Sequence, residues 1–350
     1  MNIILILIFV VVLALSFVED YLKANTKFWI LCALGVLMVL LAAFKDPVTT
    51  ADGDVYEKLF VNNEDPLVVL STEPTFIYLS RIIQWFGGGL FFIFLSYALV
   101  SVPIRLKVMN EITPYIFTAL LVYIPVYYEV QDLVQIRSAA ASAMVMLALK
   151  PMVDRRYLLA SFFVILAILL HYSCVLFLPF IFLGNVRLGK VVRIILAMLV
   201  PIGFVMYLLK LDLFSLIPSF MMVGKLEYYV DAAKLGVQTD FITPYKNVFF
   251  MVKCVLLCLM LLYYDFVKEK SRYTTLFILM LAVGIFINLT MATVPVIAVR
   301  VFDLYGGIAD AALFSYLLYL IHPKYVARIG IACVGLYMLV YNMLAGWYFF

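Results

Sequence analysis

Arg137 and Arg300 stand where an apolar membrane helix should carry no charge. Their settings are Gln135-Ile136-Arg137-Ser138-Ala139-Ala140-Ala141 and Pro295-Val296-Ile297-Ala298-Val299-Arg300-Val301-Phe302. A cation costs at least ~2.5 kcal/mol at the centre of a span and less toward its ends, so each needs a partner or a task. Guanidinium matches phosphate oxygens bidentately and keeps its charge at every relevant pH. His171 lies between them in sequence and supplies an imidazole able to take a proton near neutral pH. Together the three suggest a membrane site that handles a phosphate-bearing substrate. Competing accounts exist for each. Arg137 has Asp132 and Glu129 just upstream as ion-pair partners. Arg300 has Asp303 at i+3, and both roles hold if Asp303 orients the arginine. His171 could be a hydrogen-bonded histidine at a helix apex. His322, before Pro323, reads as structural.

The elements that must position these residues are all helical. The chain is 67% hydrophobic and 13% charged, against roughly 25% charged for soluble domains. Apolar runs close to the length that crosses a ~30 Å hydrocarbon layer recur from Asn2 to the end. The reading is an all-α polytopic membrane protein with about 12 spans (11–13). The approximate limits are 2–18, 28–44, 90–104, 114–128, 133–149, 157–170, 172–184, 191–209, 247–267, 274–290, 296–320 and 326–349. The first run lacks a basic leader and a small-residue cleavage site, so it is expected to be an uncleaved span. Cys32, Cys174, Cys254, Cys258 and Cys333 all lie in apolar stretches without a CxxC pair, which points to buried free thiols.

Basic loops set the expected orientation. Six short connections, 19–27, 105–113, 150–156, 185–193, 267–273 and 322–328, hold fifteen Lys/Arg against five acids. Residues 45–89 instead hold three bases and seven acids. Alternate connections are therefore cytoplasmic, and both termini face outward. The arms around His171 are short for full crossings, so 157–184 is expected to be a helical hairpin with its apex near His171 on the outer side. Two outer segments are long, 45–89 and 210–246. Within the first, Pro74 opens a run of helical periodicity that ends at Gly87-Gly88-Gly89, expected to be an amphipathic helix on the membrane surface. No repeat or soluble domain interrupts residues 1–350, which read as one membrane domain. The net charge of +4 is spread over short loops and points to no nucleic acid.

Walker A, GxGxxG, HExxH and nucleophile-elbow motifs are missing, so nothing suggests ATP use. Asp52-Gly53-Asp54 could be a divalent-cation DxD element, but two acids around a glycine also make an ordinary turn. No metal or other cofactor is expected.

One ordered pattern runs along the expected outer face. Asp52-Gly53-Asp54-Val55-Tyr56-Glu57-Lys58-Leu59-Phe60 gives a D-x3-Y-x3-F arrangement. After it come Glu73-Pro74-Thr75-Phe76, Gln135-Ile136-Arg137 before a small-residue helix, His171-Tyr172-Ser173, and Arg300 with Asp303 and Tyr305. This order resembles the EpsG family of exopolysaccharide proteins, related to Wzy-type O-antigen polymerases. The likeness covers roughly residues 45–310. It departs from the family where Ser138 replaces a frequent Gln, and where Lys45 must serve as the basic residue before the aspartate loop.

The resemblance implies a glycosyltransferase of the bacterial inner membrane with its active site facing the periplasm. Such an enzyme joins oligosaccharide repeat units carried on undecaprenyl diphosphate, working among membrane lipid and beside a flippase and a chain-length regulator of the same pathway. In that chemistry Arg137 and Arg300 would hold the diphosphate leaving group and His171 would take the acceptor proton. Asp52, Tyr56, Glu73, Gln135, Tyr172, Asp303 and Tyr305 would contact substrate. Two other classes compete. A transporter or flippase of lipid-linked glycans could use Asp303 and Asp310, seven apart on one face, as an ion path; the paired interrupted helices of such folds are not visible. A membrane O-acyltransferase with His171 as base would need that histidine within reach of a cytoplasmic acyl donor.

Overall fold

The computed structural model describes residues 2–211, 213, 247–292 and 294–344. Every element among them is helical and none is a strand. The segment 210–246, expected on the outer side, falls almost entirely outside the described residues. The remaining residues group into two compact units. One comprises residues 1–185 and 310–350, the other residues 186–309.

The first unit begins with α1 (Asn2–Val18) and α2 (Ala24–Ala43). Four short elements follow: a 3-10 turn (Pro47–Thr49), α3 (Gly53–Val61), α4 (Pro66–Ser71) and α5 (Pro74–Trp85). Next are α6 (Leu90–Ile112), α7 (Ile116–Val122) continued by a π-helix (Tyr123–Val134), and α8 (Ile136–Val153). α9 (Tyr157–Leu170) and a 3-10 helix (Tyr172–Phe182) complete this stretch. The second unit holds α10 (Lys190–Leu208), α11 (Val248–Leu262), α12 (Tyr264–Lys270) and α13 (Thr274–Thr290). It also holds the first half of α14 (Pro295–Leu320), whose later residues belong with α15 (Lys324–Leu344) to the first unit.

Among the described residues α2, α6, α8, α10 and α15 are long and apolar enough to cross a membrane. α11 and α12, bent by 85° at their junction, make a sixth if they form one broken span. That is an all-α polytopic membrane protein with five or six clear spans, against the twelve expected. The shortfall lies in α1, α9, the 3-10 helix and α13, which are apolar but no longer than 17 residues, and in α7 with its π-helix and α14, which are not among the long apolar helices.

The hairpin around His171 forms as the span lengths require. His171 is extended (φ −157°, ψ 113°) between α9 and the 3-10 helix. The arms run antiparallel, because the rings of Tyr157 and Phe182 at their far ends lie 5.4 Å apart. Fourteen residues at 1.5 Å give about 21 Å. Eleven at 2.0 Å give about 22 Å, so the 3-10 winding equalises the arms. Neither reaches the ~30 Å of a hydrocarbon layer.

α5 lies against the α9 arm, where the Thr75 hydroxyl donates to the Leu169 carbonyl at 2.8 Å. Beneath α3 and α5, Tyr56, Phe60, Phe76, Ile83, Ile93, Phe94, Tyr97, Ile136 and Ala140 form one buried cluster. Gly53 is required by close approach: a Cβ on it would fall 1.7 Å from the Pro47 carbonyl oxygen. Asp52-Gly53-Asp54 is thus a helix start packed on a 3-10 turn. Gly87, at φ +74°, takes the left-handed turn that ends the α5 segment.

Two readings of charge need correction. Residues 129–132 are not a loop between spans but the middle of the π-helix, and the chain breaks at Gln135. Arg105 is not at the head of a basic loop, since α6 runs on to Ile112 and buries it completely. Its guanidinium donates to Gln131, to Ser142 and to the Ala139 carbonyl (3.2 Å). Near the far end of this unit, Glu19 accepts from the Phe117 amide (3.0 Å) at the start of α7 and from Arg328 of α15 (3.2 Å). A carboxylate at a helix N-terminus paired with arginine ties α1, α7 and α15 together.

Candidate functional site

The focus is Glu73, the N-cap residue of α5, with Pro74 in the first helical position. Ser, Thr, Asp or Asn would normally stand there and bond the helix's free amides. Glu73 makes no such capping bond. Its carboxylate is buried and divided between two other elements. Oε2 accepts from Nη1 of Arg137, in the first turn of α8, and Oε1 lies 3.0 Å from Nδ1 of His171 at the hairpin apex. A carboxylate in this pairing only accepts, so Nδ1 carries a proton and Nε2 lies on the side of the ring away from Glu73.

Arg137 is seated on aromatic faces. Its guanidinium carbon is 5.5 Å from the Tyr56 ring centroid and 5.7 Å from that of Phe76. The two rings lie 5.9 Å apart. Its Nε is buried without a hydrogen-bond partner among the described residues. The side chains of Arg137 and His171 keep 13% and 23% of their surface, against 5% for Glu73, so the cation and the imidazole are the reachable members.

The acids first considered as partners for Arg137 are engaged elsewhere. Asp132 accepts from Ser101 and from the Tyr123 hydroxyl (2.9 Å), and Glu129 from Asn342 (2.8 Å). In the π-helix these side chains turn into the interior rather than toward α8. Tyr127 reaches Asp310, and Tyr128 donates to the Met38 carbonyl at 2.6 Å.

The structure therefore brings together Tyr56, Glu73, Arg137 and His171 from four elements. Tyr172 follows His171 at the apex and is about half exposed. Gln135 acts through its backbone, as the one-residue break (φ −93°, ψ 60°) that aims α8. Asp52 stands one turn before Tyr56, and its charge acts on Lys45. Arg300, Asp303 and Tyr305 are on α14 in the second unit, where Tyr305 packs against the α13 backbone at Gly284.

Two lysines are buried: Lys45, expected as the basic residue before the aspartate loop, and Lys253, which sequence reasoning missed. Lys45 donates to the Leu133 carbonyl at 2.6 Å and lies 4.2 Å from the Phe94 ring centroid, behind Tyr56. Burial pushes its ammonium down to about 7, against the pull of Asp132 and Asp52. Lys253 on α11 is fully buried, with Nζ 3.3 Å from the Phe302 ring centroid in the second unit. A lysine inside the apolar run Phe249-Phe250-Met251-Val252-Lys253-Cys254 was the available signal. Among the described residues no three His, Cys, Asp or Glu side chains are grouped as metal ligands.

A helical membrane scaffold that delivers an arginine, a histidine and a shared carboxylate from separate elements defines the class. The chain belongs to the EpsG family, which it matches over residues 28–349. It is also similar to the amylovoran biosynthesis protein AmsC of Erwinia amylovora. The two are 22% identical over 346 residues, covering 94% of this chain and 90% of the relative. No solved structure matches it.

Proposed function

We propose that this protein is a polysaccharide polymerase at the outer face of the bacterial inner membrane. It joins oligosaccharide repeat units carried on undecaprenyl diphosphate. The observation that carries the reading is the Arg137–Glu73–His171 constellation, a phosphate-matching cation and a proton acceptor held by one carboxylate. Membership of the EpsG family and likeness to a protein of amylovoran biosynthesis support it from outside.

In this reaction an acceptor sugar hydroxyl attacks the anomeric carbon of the donor glycan. The new C–O bond forms as the bond to the diphosphate oxygen breaks, and that oxygen leaves with the electron pair. Arg137 holds the departing charge. The hydroxyl proton goes to Nε2 of His171. Because a diphosphate leaves readily, no metal is required by the chemistry. The test is incubation of purified protein with a defined lipid-diphosphate oligosaccharide. A ladder of longer products supports the polymerase. Movement of the lipid-linked unit across vesicles without elongation would make the protein a flippase instead.

A further inference from the structure

Arg137 cannot offer its full fork to a phosphate while Nη1 is committed to Glu73. His171 shares the same carboxylate through its other oxygen, 3.0 Å away. Other polar side chains near this carboxylate are Tyr56 from α3, Tyr97 from α6, and Tyr172 and Cys174 from the 3-10 helix, all uncharged in their ordinary state. Among these described residues the carboxylate is thus the only anion, and it has two cationic claimants, one permanent and one transient.

We propose that Glu73 is a positioning residue that exchanges partners during turnover: the donor's diphosphate takes Arg137 from Glu73, and the released carboxylate holds the imidazolium that forms on His171. This rests on the reading of Arg137 as the diphosphate ligand. Before donor binding, the pair with Glu73 neutralises a cation at the membrane surface. Diphosphate carries more charge than one carboxylate and offers a bidentate face, so it displaces Glu73. When the acceptor hydroxyl gives its proton to Nε2, the ring becomes cationic, and Glu73 balances it through the Nδ1–H bond. The proton later leaves for water, and Glu73 returns to Arg137 as lipid diphosphate departs. The base thereby gains the carboxylate's undivided charge only when donor is present.

The side chain's length is part of the argument. An aspartate at the same N-cap position is one methylene shorter and would bond the first-turn amides of α5, as Asp65 does to the Leu67 amide at the start of α4. Glutamate before Pro74 reaches past the helix end.

The experiment uses full-length protein in lipid nanodiscs, with inorganic pyrophosphate and undecaprenyl diphosphate as binding probes. Glu73→Gln removes the competing anion, so pyrophosphate should bind about 5- to 10-fold more tightly, while kcat for elongation falls ~10²-fold. Glu73→Asp should lose kcat similarly, because its carboxylate is drawn to the helix amides. Binding and turnover that weaken together in Glu73→Gln would overturn the exchange and leave Glu73 a structural tie. Unchanged binding would overturn it as well. A second measurement needs no variant. The chain has two histidines, so ¹⁵N-histidine labelling gives two imidazoles to follow. Pyrophosphate should move the His171 ring signals of the unaltered protein; an unmoved His171 at saturating pyrophosphate would overturn the proposal. If that response is seen and no ladder forms on authentic donor, the polymerase reading fails while the exchange stands.

Discussion

Replacing Arg137 with lysine keeps the charge and removes the planar fork. In the structure the guanidinium does two things at once: it donates Nη1 to Glu73 and lies over the rings of Tyr56 and Phe76, 5.5 and 5.7 Å from their centroids. A lysine ammonium can still reach Glu73, so the resting ion pair survives. It cannot present two parallel N–H groups to a diphosphate. Losing one charge-assisted donor that acts in the transition state costs about 2.7–4 kcal/mol, a ~10²- to 10³-fold fall in rate. Weaker contact with the two rings costs about 0.5–1 kcal/mol and falls on folding rather than on chemistry. The expected outcome is a kcat/KM for product-ladder formation reduced ~10²- to 10³-fold, with thermal unfolding nearly unchanged. Arg300→Lys should behave in the same way. If both lysine variants elongate glycan at the normal rate, the phosphate clamp is wrong and Arg137 is a structural partner of Glu73.

The other expectations are as direct. His171→Ala should leave binding of lipid diphosphate nearly intact while transfer falls ~10²-fold or more, the scale of a general base. Turnover should survive excess EDTA, and Asp54→Asn should keep most activity. Loss on chelation, restored by Mg²⁺ or Mn²⁺, would make Asp52-Gly53-Asp54 the metal element and reduce the arginines to support. Gly53→Ala places a methyl 1.7 Å from the Pro47 carbonyl oxygen and 2.6 Å from the Thr50 hydroxyl, so α3 must shift. The expected cost is about 1–3 kcal/mol, read as a lower unfolding temperature together with reduced activity from a displaced Tyr56. Single-cysteine labelling in a protein lacking the five native thiols should place residues 50–70 and 215–240 outside and 187–190 and 268–272 inside. Labelling of the last two from outside would invert the sidedness on which an outward site depends.

How much of this was legible depended on whether a property is local. Apolar runs are local, and the helices fall close to where those runs lie, down to the arms on either side of His171. The length argument for a hairpin there was also local, and the Tyr157–Phe182 contact bears it out. The partner of Arg137 was not local. Asp132 and Glu129 lie within eight residues of it, whereas Glu73 is 64 residues away. Nearness in sequence favoured the wrong acids because it assumed an ordinary helix end. Twelve residues of π-helix re-aim every side chain they carry, and no apolar periodicity announces that winding. Arg105 failed for a related reason, since a base late in an apolar run looks like a loop until the helix is seen to continue past Pro103. Yet Glu73-Pro74 held a signal that composition could not supply. Proline marked the first turn, and the residue before it should then have been a good cap. A glutamate in that place is a poor cap whose charge must be spent on something else. Two unexplained cations, Arg137 and protonatable His171, were the candidates within the same ordered pattern. An anomaly at a helix start, read beside an anomaly inside a span, points to their contact more strongly than either does alone.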